Sequence, residues 1–454
     1  MILPILPQEL VDHIVDDIGH EEDNSQRIAA LSACSLASWS FLTPARRNRF
    51  RFVSLVEGGG RHKFTREQDD WKHILRLEAF AKLLLRDPCK AYPNHTPLSQ
   101  HIGSLAIELS RYRAEPKLEE TAQKRARLDS ILPRILALIP SIRLLRLFYD
   151  YDLWKNDSLQ WAFLGDSMKK ALEDFCISRP IEYLDLAAIR SFPMAIITNC
   201  RHLKDLWAAN MVDPDWASPL QTVSTDQGPF TPVLENLHVI NSSDLVSGLA
   251  QYGVGPQAVI RLSFLRVLDM SSIRFAAEWT LISTPNQISP AQLDFGSLAN
   301  LQTLTIYRLS FGHTASSPGL LSLTKWRFFD PKLNSKAPSS LETLDISGSW
   351  SNCTRRDEIK NFLPRSGWNA IDDVLSSGRF PRLCNIQLSL TLNYHNDPTV
   401  PDKMGPSLAK ELTQDIQEKL PQLFPSLSRS LSTKIGVNLD VNGYMSYDCQ
   451  PTFD

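Results

Sequence analysis

The sequence has no CxxC pair. Its seven cysteines (Cys34, Cys89, Cys176, Cys200, Cys353, Cys384 and Cys449) are scattered and odd in number. That argues against a zinc module and for reduced thiols in cytosol or nucleus. No apolar run approaches the roughly 18 residues that a membrane span requires. A signal peptide is not expected, because no basic segment precedes the first apolar residues and Pro4 and Pro7 interrupt them. An excess of one charge is also missing. Formal net charge is −2, so nothing global favours nucleic acid or an anionic membrane. The acceptor sites Asn94, Asn156, Asn241 and Asn352 are then expected to stay idle.

Catalytic signatures are missing as well. There is no GxSxG, no HExxH and no phosphate-binding Gly-x-x-x-x-Gly-Lys-Ser/Thr. Gly253-Val254-Gly255 lacks a third glycine and stands before Pro256. Asp294-Phe295-Gly296 matches a kinase triplet, but no His-Arg-Asp loop precedes it. The ten histidines are dispersed, none beside Cys or Asp at ligand spacing. The expectation is a non-enzyme with no catalytic residues, no cofactor and no metal.

What is present falls into two patterns. At 454 residues, 43% apolar and 22% charged, the chain is too long for one ordinary domain and has a globular composition. From Leu3 to Leu55 the spacing predicts three short helices and an extended exit. Pro7 suits a first helical turn, Leu6, Leu10, Ile14 and Ile18 recur every fourth residue, and Gly19 follows as a stop. Ser25 is placed to cap a second helix whose apolar side includes Ile28, Leu31 and Cys34. Thr43-Pro44 reads as a third start, and Phe50-Arg51-Phe52-Val53 as a strand-like exit. So small a core leaves apolar surface that needs a partner. Arg46, Arg47, Arg49 and Arg51 form the densest basic spot, read as a solvated helix face or a contact for an acidic partner.

Taken together, Leu6-Pro7-Gln8-Glu9-Leu10, then Leu31-x-x-Cys34-Ser35-Leu36-x-x-Trp39, then Pro44-Ala45-Arg46-Arg47 resemble the F-box in the form common in large fungal families. The resemblance covers residues 1–56. It implies docking into the Skp-family adaptor of a cullin-type (SCF) ubiquitin ligase. Leu6, Pro7, Leu10, Ile14, Leu31, Cys34 and Trp39 would form the adaptor-binding surface.

Residues 57–100 read as a connector, with an amphipathic helix over 71–85 followed by Pro88, Pro93 and Pro97. From residue 101 to 454 the chain repeats a unit Leu-x-x-Leu-x-Leu, with Ile, Val, Met or Ala in places. It starts at Ile102, Ile142, Ile181, Leu203, Leu234, Leu265, Leu301, Leu341 and Leu383. In a strand the second and third apolar positions share a face, whereas in a helix they diverge. Helical patterns at Met168 to Cys176 and Trp368 to Leu375 lie before two of the units, and Ile435, Val437, Leu439 and Val441 alternate as a closing strand. Helix and short strand in repetition predict an α/β fold with a parallel sheet built as a solenoid.

This region resembles a divergent leucine-rich-repeat domain. Regular repeats carry Asn or Cys three positions after the last Leu. Here those positions hold Ser110, Asp150, Ile189, Met211, Ser242, Ile273, Leu309, Ser349 and Thr391, so no asparagine ladder is expected. Trp154, Trp207, Trp216, Trp279, Trp326 and Trp350, and the run Tyr149-Asp150-Tyr151-Asp152, are placed in or beside inter-strand segments. There they either anchor a partner or pack over repeat edges.

Two functional readings follow. One is a non-catalytic substrate receptor of the ubiquitin ligase, with the adaptor (and through it a cullin) and an unknown protein substrate as partners, and neither nucleic acid nor membrane. The other is a repeat scaffold whose N-terminal helices cap the solenoid without any link to ubiquitin.

Overall fold

A computed structural model of the chain describes residues 7–21, 23–55, 66–86, 96–109, 119–149, 158–216, 232–252, 260–271, 298–311, 340–353, 368–395, 406–429 and 434–444. The fold is mixed α/β. Among the described residues it has ten α-helices and a large parallel sheet of eleven strands, plus a two-stranded ribbon. Two compact units are present, Met1–Leu203 with Asp213–Pro232, and Lys204–Val212 with Val233–Asp454.

The first unit opens with α1 (Gln8–Gly19), α2 (Asn24–Ala37) and α3 (Trp39–Phe50). Val15, Leu31 and Ala45 form their shared core, with Ile18, Cys34 and Phe41 packed against it. Two of the expected start signals are corrected. Asp23, not Ser25, caps α2, and its carboxylate accepts from the Ser25 and Gln26 backbone N–H groups. An aspartate two residues upstream reaches two of the free donors of the first turn.

The third helix starts at Trp39, so Pro44 lies inside it rather than at its head. Proline has no N–H for the carbonyl four residues back. That carbonyl, Ser40 O, instead accepts from Gln8 Nε2 at 3.0 Å, which ties α1 to α3 at the place where α3 is weakest. Gln8→Ala should therefore lower stability by about 0.5–1.5 kcal/mol, read as a shift of the urea midpoint. An unchanged midpoint would mean that water replaces the amide at no cost.

After α3 the chain enters β1 (Phe52–Leu55), which pairs in parallel with β2 (Ser104–Glu108), Leu55 opposite Ile107. The unit continues with α4 (Arg66–Leu85), α5 (Glu119–Leu138), β3 (Leu144–Phe148), β4 (Leu159–Gln160), α6 (Asp166–Ser178), β5 (Tyr183–Ala187), β6 (Ile189–Arg190) and α7 (Met194–Asn199). Helices at α4 and α6 match the expected patterns, although α4 begins earlier, at Arg66.

The second unit carries β7 (Asp205–Ala209), β8 (Asn236–Ile240), α8 (Ser243–Tyr252), β9 (Val267–Ser271), β10 (Thr303–Phe311), β11 (Thr343–Cys353), α9 (Trp368–Leu375), β12 (Asn385–His395), α10 (Pro406–Leu423) and β13 (Lys434–Tyr444). Neighbours from β7 to β13 pair in parallel, and among the described residues no antiparallel hairpin lies between Leu234 and Ile306.

Each of the nine units supplies one strand, and in all of them the three apolar positions are buried. Like positions sit opposite one another: Leu237 pairs with Leu268, Leu304 with Leu344, and Ile346 with Leu388. The residue after the first apolar position makes the turn. Its carbonyl receives two N–H groups from the next unit, as Lys204 O does from Glu235 and Asn236, and Gln302 O from Glu342 and Thr343. Repetition of this turn keeps successive strands in register.

One expectation on the turns fails locally. Asn210 and Asn241 stand two residues after the last apolar position, with left-handed φ of 51° and 47°. Asn241 Nδ2 donates to Asn210 Oδ1 at 2.6 Å, and Ser242 Oγ accepts from the Met211 N–H at 2.8 Å. The asparagine step is real but one position earlier than the repeat pattern places it. Asn241→Ala should cost about 2 kcal/mol, from the left-handed backbone and the lost hydrogen bond. Asn241→Gly should restore the backbone part alone. Equal unfolding midpoints for the two variants would contradict this division.

Candidate functional site

The seven residues expected to form a docking surface separate into distinct environments. Leu10 and Ile14 lie on the outside of α1, 50% and 44% exposed. Pro7 is exposed just before the helix. Leu31, at 1% exposure, belongs to the core of the three helices, and Cys34 is half-buried against that core. Trp39 opens α3, and Leu6 lies outside the described residues.

The reason lies in α1 itself. It carries two apolar stripes, Leu10-Ile14 and Val11-Val15, offset by about 100° around the helix. Val11 and Val15 are buried and Leu10 and Ile14 are not. On α2, Ile28 and Leu36 are exposed too, Leu36 at 86%. Leu36 is not among the residues expected at the docking surface. The signal for it was its place five residues after Leu31, which turns it about 140° away from the buried position.

A polar clamp holds this module together. The Asp16 carboxylate on α1 accepts from Asn48 Nδ2 at 2.7 Å and from Arg47 Nη2 at 2.7 and 3.0 Å, both on α3. Arg49 Nη1 donates to Ser32 Oγ on α2 at 2.9 Å. Part of the basic run thus links helices. The hydrogen bonds from Asn48 and Arg47 hold the Asp16 carboxyl below its usual value of 3.8. A depressed carboxylate adds stability that is complete above the unfolded value and is lost as pH falls through the lower folded one. Melting of the module should therefore decline below pH 3.8, and Asp16→Asn should flatten that part of the profile. The same acid dependence in variant and wild type would assign it to other carboxylates.

The sheet of the second unit presents another surface. Opposite its buried leucines, Trp207 on β7 stacks on His238 of β8, ring centroids 5.0 Å apart and 20° between planes. His238 Nδ1 lies 3.2 Å from Asp269 Oδ2 on β9. Trp207 is therefore in a strand, not on a loop. Tyr149 is buried. Trp154, Trp279, Trp326, Gly253 to Gly255 and Asp294 to Gly296 lie outside the described residues. Among the described residues no helix is long and apolar enough to cross a membrane. No family model matches the chain, and no curated protein matches it.

Proposed function

We propose that this chain is the substrate-recognition subunit of a cullin-type (SCF) ubiquitin ligase. Its F-box-like helices bind the Skp-family adaptor, and a divergent leucine-rich-repeat solenoid holds a target protein. One observation carries the first half: α1 buries Val11 and Val15 in its own module and leaves Leu10 and Ile14 outside. A helix that is apolar on two sides calls for cover on both. The solenoid reading is supported by strands in chain order, paired in parallel with one repeated turn.

No chemistry is asked of this chain. The target is tethered beside an enzyme on another subunit, which raises the effective concentration of its lysines there. Co-expression of the full chain with a Skp-family adaptor tests the reading; recovery of a stoichiometric complex is expected. Failure to bind any such adaptor would remove the ubiquitin role. The pairing of β1 with β2 favours a second reading, in which the N-terminal helices cap the sheet of a plain interaction scaffold.

A further inference from the structure

Taking the repeat region as the target-binding part, we infer that the outward face of β7 to β11 receives a lysine- or arginine-bearing segment of the partner protein, seated between Asp269 and Asp345 beside the Trp207–His238 stack. Charge complementarity argues for this occupant. Over the five residues at which β7 to β12 run in common register, the outward positions hold three aspartates, Asp205, Asp269 and Asp345, one histidine, and no Lys or Arg. Of the residues just before these strands, the charged ones, Lys204, Glu235, Arg266 and Glu342, alternate in sign and cancel.

Asp269 and Asp345 both stand opposite Thr305 on the strand between them. Their Cα atoms are then about 10 Å apart, twice the strand spacing. One ammonium or guanidinium group placed above Thr305 reaches both carboxylates. Among the described residues the Asp345 carboxylate has no hydrogen-bond or ion-pair partner. Burial, and then the charge of Asp269, push its carboxyl above the ordinary range. A bound cation relieves that repulsion. The half-buried Trp207 and His238 rings, on β7 and β8 next to β9 and with His238 Nδ1 3.2 Å from Asp269 Oδ2, offer apolar area for the aliphatic stem of the same or a neighbouring basic residue.

The test uses the full chain and three fluorescent peptides, alternating glycine with lysine, glutamine or glutamate, followed by anisotropy. Only the lysine peptide is expected to bind, and more weakly as salt is raised. Asp269→Asn with Asp345→Asn should weaken it by about tenfold or more. A second double variant, Asp373→Asn with Glu418→Gln, removes the same charge from exposed helix positions of this unit and should leave binding unchanged. Equal losses in the two double variants, or equal binding of the lysine and glutamine peptides, would overturn the inference. Circular dichroism melting confirms that the variants stay folded, as expected for replacements of equal size. Adaptor recovery is measured on the same preparations. Adaptor binding without peptide selectivity would refute this inference alone, and selectivity without adaptor binding would refute the ligase role alone.

Discussion

Replacing Leu10, Ile14 and Leu36 together by alanine is expected to weaken adaptor binding by two or more powers of ten. Full burial of a large apolar side chain is worth about 1.5–3 kcal/mol. Leu10 and Ile14 have about half of their area left to bury, and Leu36 nearly all of it. If all three enter the adaptor's groove, they contribute about 3–5 kcal/mol, and each 1.4 kcal/mol is a factor of ten. Their exposure makes the free protein nearly indifferent to the change, within about 0.5 kcal/mol.

Leu31→Ala should behave in the opposite way. Leu31 lies in the core, so its loss should lower the stability of the free chain by about 2–5 kcal/mol. Titration of purified adaptor against wild type and both variants, with melting curves on the same samples, separates anchors from core. A triple variant that binds as tightly as wild type would place the interface elsewhere. One that melts far below wild type would support the capping reading, in which these side chains pack on the protein itself.

The second large effect is expected at Asp372 on α9. Its side chain is fully buried and accepts from the backbone N–H groups of Ser426 at 2.8 Å and Leu427 at 2.9 Å. These donors open a short 3-10 turn, Leu427–Arg429, that follows α10. The carboxylate thereby ties α9 to a segment more than 50 residues further along the chain. Removing it leaves two donors unpaired, each worth about 1–3 kcal/mol when buried. Ser426 is exposed, so water recovers part of that loss. Asp372→Ala should cost about 2–4 kcal/mol, and Asp372→Asn less, because its amide oxygen still accepts. Urea unfolding measures both. A cost below about 0.5 kcal/mol for the alanine variant would show that this link is dispensable.

The nine strands were legible in the sequence because their signal is local. Two apolar residues two apart, with a third three residues before, satisfy a buried strand and its incoming turn whatever the neighbours are. Parallel pairing followed, since units in the same direction joined by long crossovers pair no other way. Elsewhere the local signal was ambiguous. Both apolar stripes of α1 obey the same period, and only the arrival of Leu31 and Ala45 against Val15 decides that Val11 and Val15 go inside and Leu10 and Ile14 outside. Pro44 reads as a helix start until Gln8, 36 residues earlier, satisfies the carbonyl that it leaves free. Asn210 and Asn241 become a ladder only when β7 and β8 bring them side by side. Periodicity along one segment thus determined which residues become strands and helices. Which apolar face is covered, and which polar group finds its partner, was decided by residues far away in the chain, because burial and hydrogen bonding are relations between segments.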